Sequence, residues 1–574
     1  MKRGINLMLC LVILGTILTG CGAESKLDED KALEKLQAFM AKTVQVKEVT
    51  HRPDPSWVGS EGSINELPPI NKYPFSVTGT APVNVEIFCS TEKAAKLDSL
   101  TKTYGPDSWI EKMAREFNGA GLEVNGRRAS VSIRPISSGL ALDYIITRTY
   151  VPAAYTPSNE FWGEMIAETG LKTDRVAKRL LGNIAGILME KNVYNAYISK
   201  YGEVTMPKII EAVFNGDVVL GHTDPNVSST GLNIFTRELL ALDPQNPFSA
   251  TAITKFQQFQ KLIPPVSPTT GELIKVAEKG ILSAMIMSPQ EWSARPTLSD
   301  WVFTPIGVRQ DSPLYALEGI TADQKEVLKL FAEYCTASPA QAIATGMSFN
   351  QFDSFTGEEM GMTGKEMFEA LKLWKRHKDG GDPVISVFVM DVSGSMDNPG
   401  RWGKDKRINN AKAALLNSLQ YINEDNYVGL LSYSSTNNIC IDVPIAQFDA
   451  RQYSLFAGAI NDLKASGNTA TNSAIVAALD MAVKARNNLN LPHAKIRILV
   501  FTDGATNQDN LSIAQIEGMI HGLGVPVYGV FFEPERDLDM VDLDTLSAIN
   551  EGYKIVADTD DVVSQLKSLF IRAL

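Results

Sequence analysis

Asp391, Ser393 and Ser395 stand two residues apart in the stretch MDVSGSMDN, directly after the apolar run PVISVFV. One carboxylate and two hydroxyls where a buried strand ends admit three chemistries. They suit a nucleophilic serine, an ordinary turn, or a cation site built from neutral oxygens. A nucleophile needs a general base oriented by a third group. The motif is not Gly-x-Ser-x-Gly, and among only five histidines His493 precedes a strand at the edge opposite Asp503. A metal-free turn stays open, because Ser and Asp are common turn residues. Mg²⁺ takes six oxygens in a near-ideal octahedron and gives up water reluctantly. Hydroxyl ligands leave its charge largely uncompensated, so an ion held that way attracts a carboxylate from outside.

The elements around this stretch must bring other donors to it. VISVFVMD, YVGLLSYSS, IRILVFTDG and PVYGVFFE read as strands apolar on both faces, separated by the helical patterns RINNAKAALLNSLQYI, NSAIVAALDMAVKARNNL and IAQIEGMIHGLG. That alternation predicts a parallel sheet covered by helices. Ligands of such a sheet bind beyond the carboxyl ends of the strands, where the strand order reverses. Asp391 and Asp503 both lie at such ends, and SGNTATNSAI places Thr469 in a Gly-containing turn that opens a helix.

DVSGSM, SGNTAT and FTDG together resemble the three segments of a metal-ion-dependent adhesion site in a von Willebrand factor type A domain. The likeness covers about 382–574. It implies a Rossmann-like doubly wound fold in which Ser393, Ser395 and Thr469 ligate a divalent cation, Mg²⁺ or Mn²⁺. Asp391 and Asp503 then hold the ion mainly through water. The one departure is Asn468, where many members carry a second Gly.

An earlier region, 83–355, also alternates strand and helix. FCSTEK, PISSGLALDYI and DPNVSSTGLN put Ser90, Thr91, Ser137, Ser138, Ser229 and Thr230 where strands give way to helices. Hydroxyls and free N–H groups at helix starts cradle anions and polar ligands, and the same residues are the commonest helix N-caps. The pattern resembles the two-lobed extracellular solute-binding proteins of bacteria. That implies a periplasmic-binding-protein-like domain with those six residues facing a cleft. Trp162 and Trp292 suit either the cleft or the core. The polar, Gly-containing run KLWKRHKDGGD marks the boundary between the two regions, placing the second domain at 382–574.

The chain has 574 residues, enough for more than one core, and a net charge of −12. The acidic balance argues against a nucleic-acid partner, which requires clustered Lys and Arg. Lys2 and Arg3 precede the apolar stretch INLMLCLVILGTILTGC, which is short for a spanning helix and suits an ordinary signal peptide or a short membrane anchor. Its end resembles a bacterial lipobox, which implies a signal peptide over 1–20 and a lipid on Cys21. Residues 21–82 read as a lipid-anchored helix and a Pro/Gly-broken linker that lifts the body off the membrane. Cys89, Cys335 and Cys440 are too scattered for a zinc site or disulfide framework. The combined expectation is an α/β, non-enzymatic lipoprotein on the extracytoplasmic face of the cell membrane. It binds a protein or other carboxylate-bearing partner through the cation. The alternative is a solute-capturing component of a transport or sensing complex, docked through the second domain.

Overall fold

The structure is a computed structural model. It describes residues 27–570 except 55–66, 99–102, 265, 268–269, 401–404, 420–421, 423–424, 505, 533–539, 551, 553, 558–561, 563–564 and 567–568. Cys21 and the apolar leader lie outside the described residues.

The second domain is built on a seven-stranded sheet. Its order is Lys47–Glu48, Ile439–Gln447, Tyr427–Tyr433, Val384–Asp391, Lys495–Thr502, Val527–Phe532 and Lys554–Ala557. Every neighbouring pair is parallel except Tyr427–Tyr433 with Ile439–Gln447. Strand Val384–Asp391 is buried along its whole length. Alternation at period two sends Val384, Phe388 and Met390 to one face and Ile385, Val387 and Val389 to the other. Helices Arg407–Ser418 and Ala450–Asp462 cover the first face, and Thr471–Asn488 and Ile513–Leu523 the second. The chain leaves Val384–Asp391 for the strand on one side and later returns to the strand on its other side. The switch point therefore lies just beyond Asp391 and Thr502.

The first domain holds two sheets. A six-stranded one runs Glu123–Val124, Arg127–Pro135, Val83–Cys89, Ala154–Thr156, Leu314–Leu317, Thr173–Ala177. A four-stranded one runs Trp301–Arg309, Ile184–Glu190, Ala284–Met287, Leu220–Gly221. The chain passes between the sheets twice, at 178–183 and at 310–313, which makes two lobes. Their apolar side chains form one continuous cluster, with Phe88 and Tyr144 from one lobe and Ile187 and Phe235 from the other.

Two expectations about the boundaries need correction. Glu29–Lys42 is a helix, but it packs against Thr471–Asn488 and Ile513–Leu523 of the second domain. Lys47–Glu48 pairs in parallel with Cys440 and Ile441. Further on, Val77 bridges to Ile133 of the first domain, whose Tyr144 hydroxyl donates to the Pro68 carbonyl. Over its described parts, the segment expected to be a free linker is thus pinned to both domains. Proline and glycine deny such a segment regular structure, yet they do not stop its isolated apolar residues from docking. The other correction concerns residue 355. Helix Gly364–His377 continues the first domain, burying Met367, Leu373 and Trp374 with Phe161, Trp162 and Met165. The boundary falls after His377.

Candidate metal site and lobe junction

Asp391 ends its strand fully buried. Its Oδ1 accepts from the Ser393 backbone N–H at 2.7 Å and its Oδ2 from the Thr502 hydroxyl at 2.6 Å. The carboxylate therefore sits behind the serine loop and orients it. Ser393 Oγ and Ser395 Oγ lie 3.1 Å apart. Ser395 Oγ donates to Asp503 Oδ1 at 2.9 Å, and Arg407 donates to Asp503 Oδ2 at 3.1 Å. Arg407 also donates to the Ser395 carbonyl at 3.3 Å. Four of the five candidate residues thus form one bonded cluster at the switch point.

Thr469 joins through its turn. Gly467 has φ of +88° and its carbonyl accepts from the Gly394 N–H at 2.9 Å, locking the two loops together. Asn507 donates to Thr469 Oγ1 at 3.2 Å and accepts from the Thr469 N–H at 3.1 Å. Asn468 does not need the conformational freedom of a second glycine: it is not among the positive-φ residues, and its N–H donates to Ser435 Oγ at 3.1 Å. Its side chain bonds Gln508. Thr471, close by, instead shares a hydrogen bond with the Tyr433 hydroxyl beneath the site.

Electrostatics favour a cation here. Asp391 is pushed up to about 7, first by burial and then by the charge of Asp503. Asp503 is also raised by burial, against the lowering effects of Ser395 and Arg407. Two buried carboxylates face one guanidinium, an arrangement that a bound cation would balance. The donor set fits a hard divalent ion. Two oxygens on adjacent corners of a magnesium octahedron, each about 2.1 Å from the ion, stand about 3.0 Å apart, close to the Ser393–Ser395 separation. Sequence reading did not find Arg407, Thr502 or Asn507. They act through side chains that reach across strands, and only the Thr502 position, one before Asp503, carried a local hint.

The hydroxyls of the first domain are less convergent. Ser229 Oγ accepts from Trp162 Nε1 at 2.7 Å, and Thr230 Oγ1 accepts from Gln310 at 3.2 Å. Ser138 is buried, and its carbonyl accepts from the Tyr155 hydroxyl at 3.0 Å. Ser137 is the half-buried N-cap of the same helix, with no side-chain capping bond. The two helix starts meet closely, since a Cβ on Gly139 would stand 2.0 Å from the Asn226 carbonyl. Ser138, Ser229 and Thr230 therefore lie along the lobe junction with much of their polarity already used. Thr91 is exposed. Ser90 donates to Glu92 at 2.7 Å and accepts from the fully buried Lys93. Lys93 also donates to the Thr156 carbonyl at 3.0 Å. From the other lobe, Gln290 donates to the Glu92 carbonyl at 3.3 Å. Burial alone would raise Glu92, but Lys93 and Ser90 outweigh it and hold it low, whereas burial leaves Glu291 raised. Lys93, Glu92, Gln290 and Glu291 are polar groups at this junction that the sequence did not single out; the run STEK right after a strand was the available signal. Trp162 and Trp292 are packing residues, the latter stacked on Phe303.

Residues 386–505 match the family model of the von Willebrand factor type A domain. No curated protein matches the chain significantly. Among solved structures, a von Willebrand factor type A protein from Catenulispora acidiphila is 17% identical, with TM-score 0.28, over 33% of this chain and 43% of that one. This chain thus spans less than half of that protein's length. Iron-bound HitA from Pseudomonas aeruginosa is 11% identical over 52% of this chain and all of its own, with TM-score 0.37. The sulfate-binding protein SubI from Mycobacterium tuberculosis H37Rv is 12% identical over 47% and 88%, with TM-score 0.32. The chain carries a von Willebrand factor type A domain at 386–505, and all five candidate metal-site residues fall inside that span.

Proposed function

We propose that this chain is a cell-envelope lipoprotein whose A domain binds a protein or other carboxylate-bearing partner through a divalent cation, Mg²⁺ or Mn²⁺. The observation that carries the reading is the bonded cluster Asp391–Ser393–Ser395–Asp503 at the switch point, with Thr469 held beside it. Ser393, Ser395 and Thr469 would hold the ion, while Asp391 and Asp503 would orient hydroxyls and water from behind. A bound cation there supplies Lewis acidity toward an incoming carboxylate. Arg407 keeps Asp503 turned toward Ser395, which leaves the outer side of the cluster for the partner.

A role in binding rather than catalysis fits the same bonds. Ser393 Oγ is engaged with Ser395, and His493 is exposed before the start of strand Lys495–Thr502, at the end opposite Asp503. Lipidation at Cys21 would place the domain on the extracytoplasmic face. The second reading, solute capture by the first domain, draws on the two-lobed architecture and the buried polar groups at its junction. Partner capture from cell envelopes, with and without chelator, tests the main reading. Capture that needs the cation and fails with Ser393→Ala supports it; capture that persists in excess chelator with the fold intact overturns it.

A further inference from the structure

Between the two domains, at the end of the A-domain sheet remote from the metal site, lies a small cleft open to solvent on one side. The first domain lines it with Gln260, Ile263, Val266 and Trp374, the connecting segment with Lys378 and Asp379, and the A domain with Lys495 and Arg497. The apolar part is ordinary packing. The polar part is unusual in sign, because nearly every polar group that reaches the cleft is a donor.

Asp379 is the one carboxylate among the lining residues, and both its oxygens are engaged. Oδ2 accepts from Lys378 Nζ at 2.6 Å and Oδ1 from Arg497. Asp382, nearby, is occupied by Lys261 at 2.7 Å. Lys495 thus has only longer-range attraction to Asp379 and Asp382, and burial pulls its ammonium down to about 8. Lys378 is lowered as well, by burial first, against the pull of Asp379. Two further donors, Gln260 Nε2 and Trp374 Nε1, are buried without a hydrogen-bond partner among the described residues, on residues only 4% and 0% exposed. An orphaned buried donor costs about 1–3 kcal/mol, and a desolvated cation costs more unless it is paired. The lining carries three cations and one carboxylate, with two orphaned N–H groups beside them, while Asp382 and Asp224 attract Lys495 and Lys378 from outside the lining. Negatively charged acceptor oxygens suit such a lining. Water provides acceptors but no charge.

We propose that this cleft is a binding site for a small oxyanion of the phosphate or sulfate class. The anion accepts from Lys495, Gln260 Nε2 and Trp374 Nε1, and it balances the excess of Lys378 and Arg497 over Asp379. Because those residues come from both domains and the segment between them, the bound anion pins the domains to each other. The site also stands at the start of strand Lys495–Thr502, whose far end adjoins Asp503. The seven steps from Lys495 to Thr502, at about 3.3 Å each, put the two ends of this strand roughly 23 Å apart.

The test is calorimetric titration of the full chain, free of divalent cations, with inorganic phosphate and with sulfate. Chloride at matched ionic strength is the control. One saturable site is expected for at least one oxyanion and none for chloride. Lys495→Gln should weaken it about tenfold or more, as loss of a hydrogen bond to a charged group does. Gln260→Leu should weaken it less, while Ser393→Ala should leave it unchanged. Separate ultraviolet melts should show oxyanion stabilisation for the wild type that Lys495→Gln lacks. No saturable heat from either oxyanion, or binding undiminished in Lys495→Gln, overturns the proposal. Equal effects of chloride and oxyanions would reveal an ionic-strength effect only, and would overturn it too. None of these outcomes depends on whether the A domain binds a partner through a cation.

Discussion

Replacing Ser393 with Ala removes a hydroxyl and leaves Ser395 Oγ without its 3.1 Å neighbour. Cation affinity should fall by at least the ~10–100-fold that loss of a ligand's supporting partner costs. Thr469→Ala should do the same, since it deletes the hydroxyl that Asn507 positions. Asp391→Asn probes the role behind the ligands. It keeps an acceptor for the Ser393 N–H and removes a buried charge, so the cation-free melting temperature should hold or rise while cation affinity drops by about 10–100-fold. A fall in both would mean that Asp391 serves folding alone. Circular dichroism melts and metal titrations on the same samples separate the cases. The sequence disclosed these residues because a strand-end carboxylate, two alternate hydroxyls and a Gly-containing turn are local patterns. Arg407 could not be found that way. Nothing near it in sequence shows that its guanidinium lies beside Asp503, 96 residues away.

Among the elements, the amino-terminal strap departs furthest from what its residues suggest. Helix Glu29–Lys42 has a helical period and an Asp28 cap that is easily read, but its partner surface is more than 400 residues away. Lys47–Glu48 is polar, exposed and only two residues long, so no periodicity announces a strand. The strap is fastened by His51, whose Nε2 lies 2.9 Å from Asp442 and Nδ1 3.0 Å from Asp462. Burial pulls His51 down, but the two carboxylates outweigh it and raise it above its ordinary 6.5. A raised folded value means that the clamp is complete below pH 6.5 and is lost as pH rises through that raised value. Asp442 is itself raised from 3.8 by burial, against the lowering effects of Ser432 and His51, so its own contribution changes from about that pH upward and is separate from the His51 transition. The Asp462 half adds little, since that side chain is mostly exposed. Hydrogen exchange over 44–54 should therefore be slower relative to the rest of the domain at pH 6 than at pH 8.5, after correction for intrinsic rates. His51→Ala should abolish the difference. Gly458→Ala offers an independent check. Its Cβ would stand 1.9 Å from the Arg52 carbonyl, so the strap must shift, costing about 1–3 kcal/mol. Unchanged exchange in Gly458→Ala would contradict the docking.

At the level of the whole molecule, the A domain is assembled from both ends of the described chain, and the first domain is inserted between them. The class of each domain was legible because strand and helix alternate with clean periods. The boundaries were less so. A break in hydrophobic pattern at 51–82 or 372–382 marks where regular structure stops, not where packing stops. Trp374 shows the difference: it lies in a polar stretch yet is fully buried. The lobe junction was legible only as a set of polar turns, because closure by Trp162, Tyr155 and Gln310 depends on tertiary contacts. Among the described residues no helix is long and apolar enough to cross a membrane. The proposed attachment is through Cys21. Cys21→Ala should leave an unprocessed or released form, and mass spectrometry that found an unmodified Cys21 within a retained leader would contradict the anchor. Whether the site holds a cation is decided by titrating the full chain with Mn²⁺ and following the metal's paramagnetic signal, wild type beside Ser393→Ala. One saturable site is expected in the wild type, displaced by Mg²⁺ and weakened at least about tenfold in the folded variant. Absence of a saturable site, or identical binding by both proteins, would contradict it.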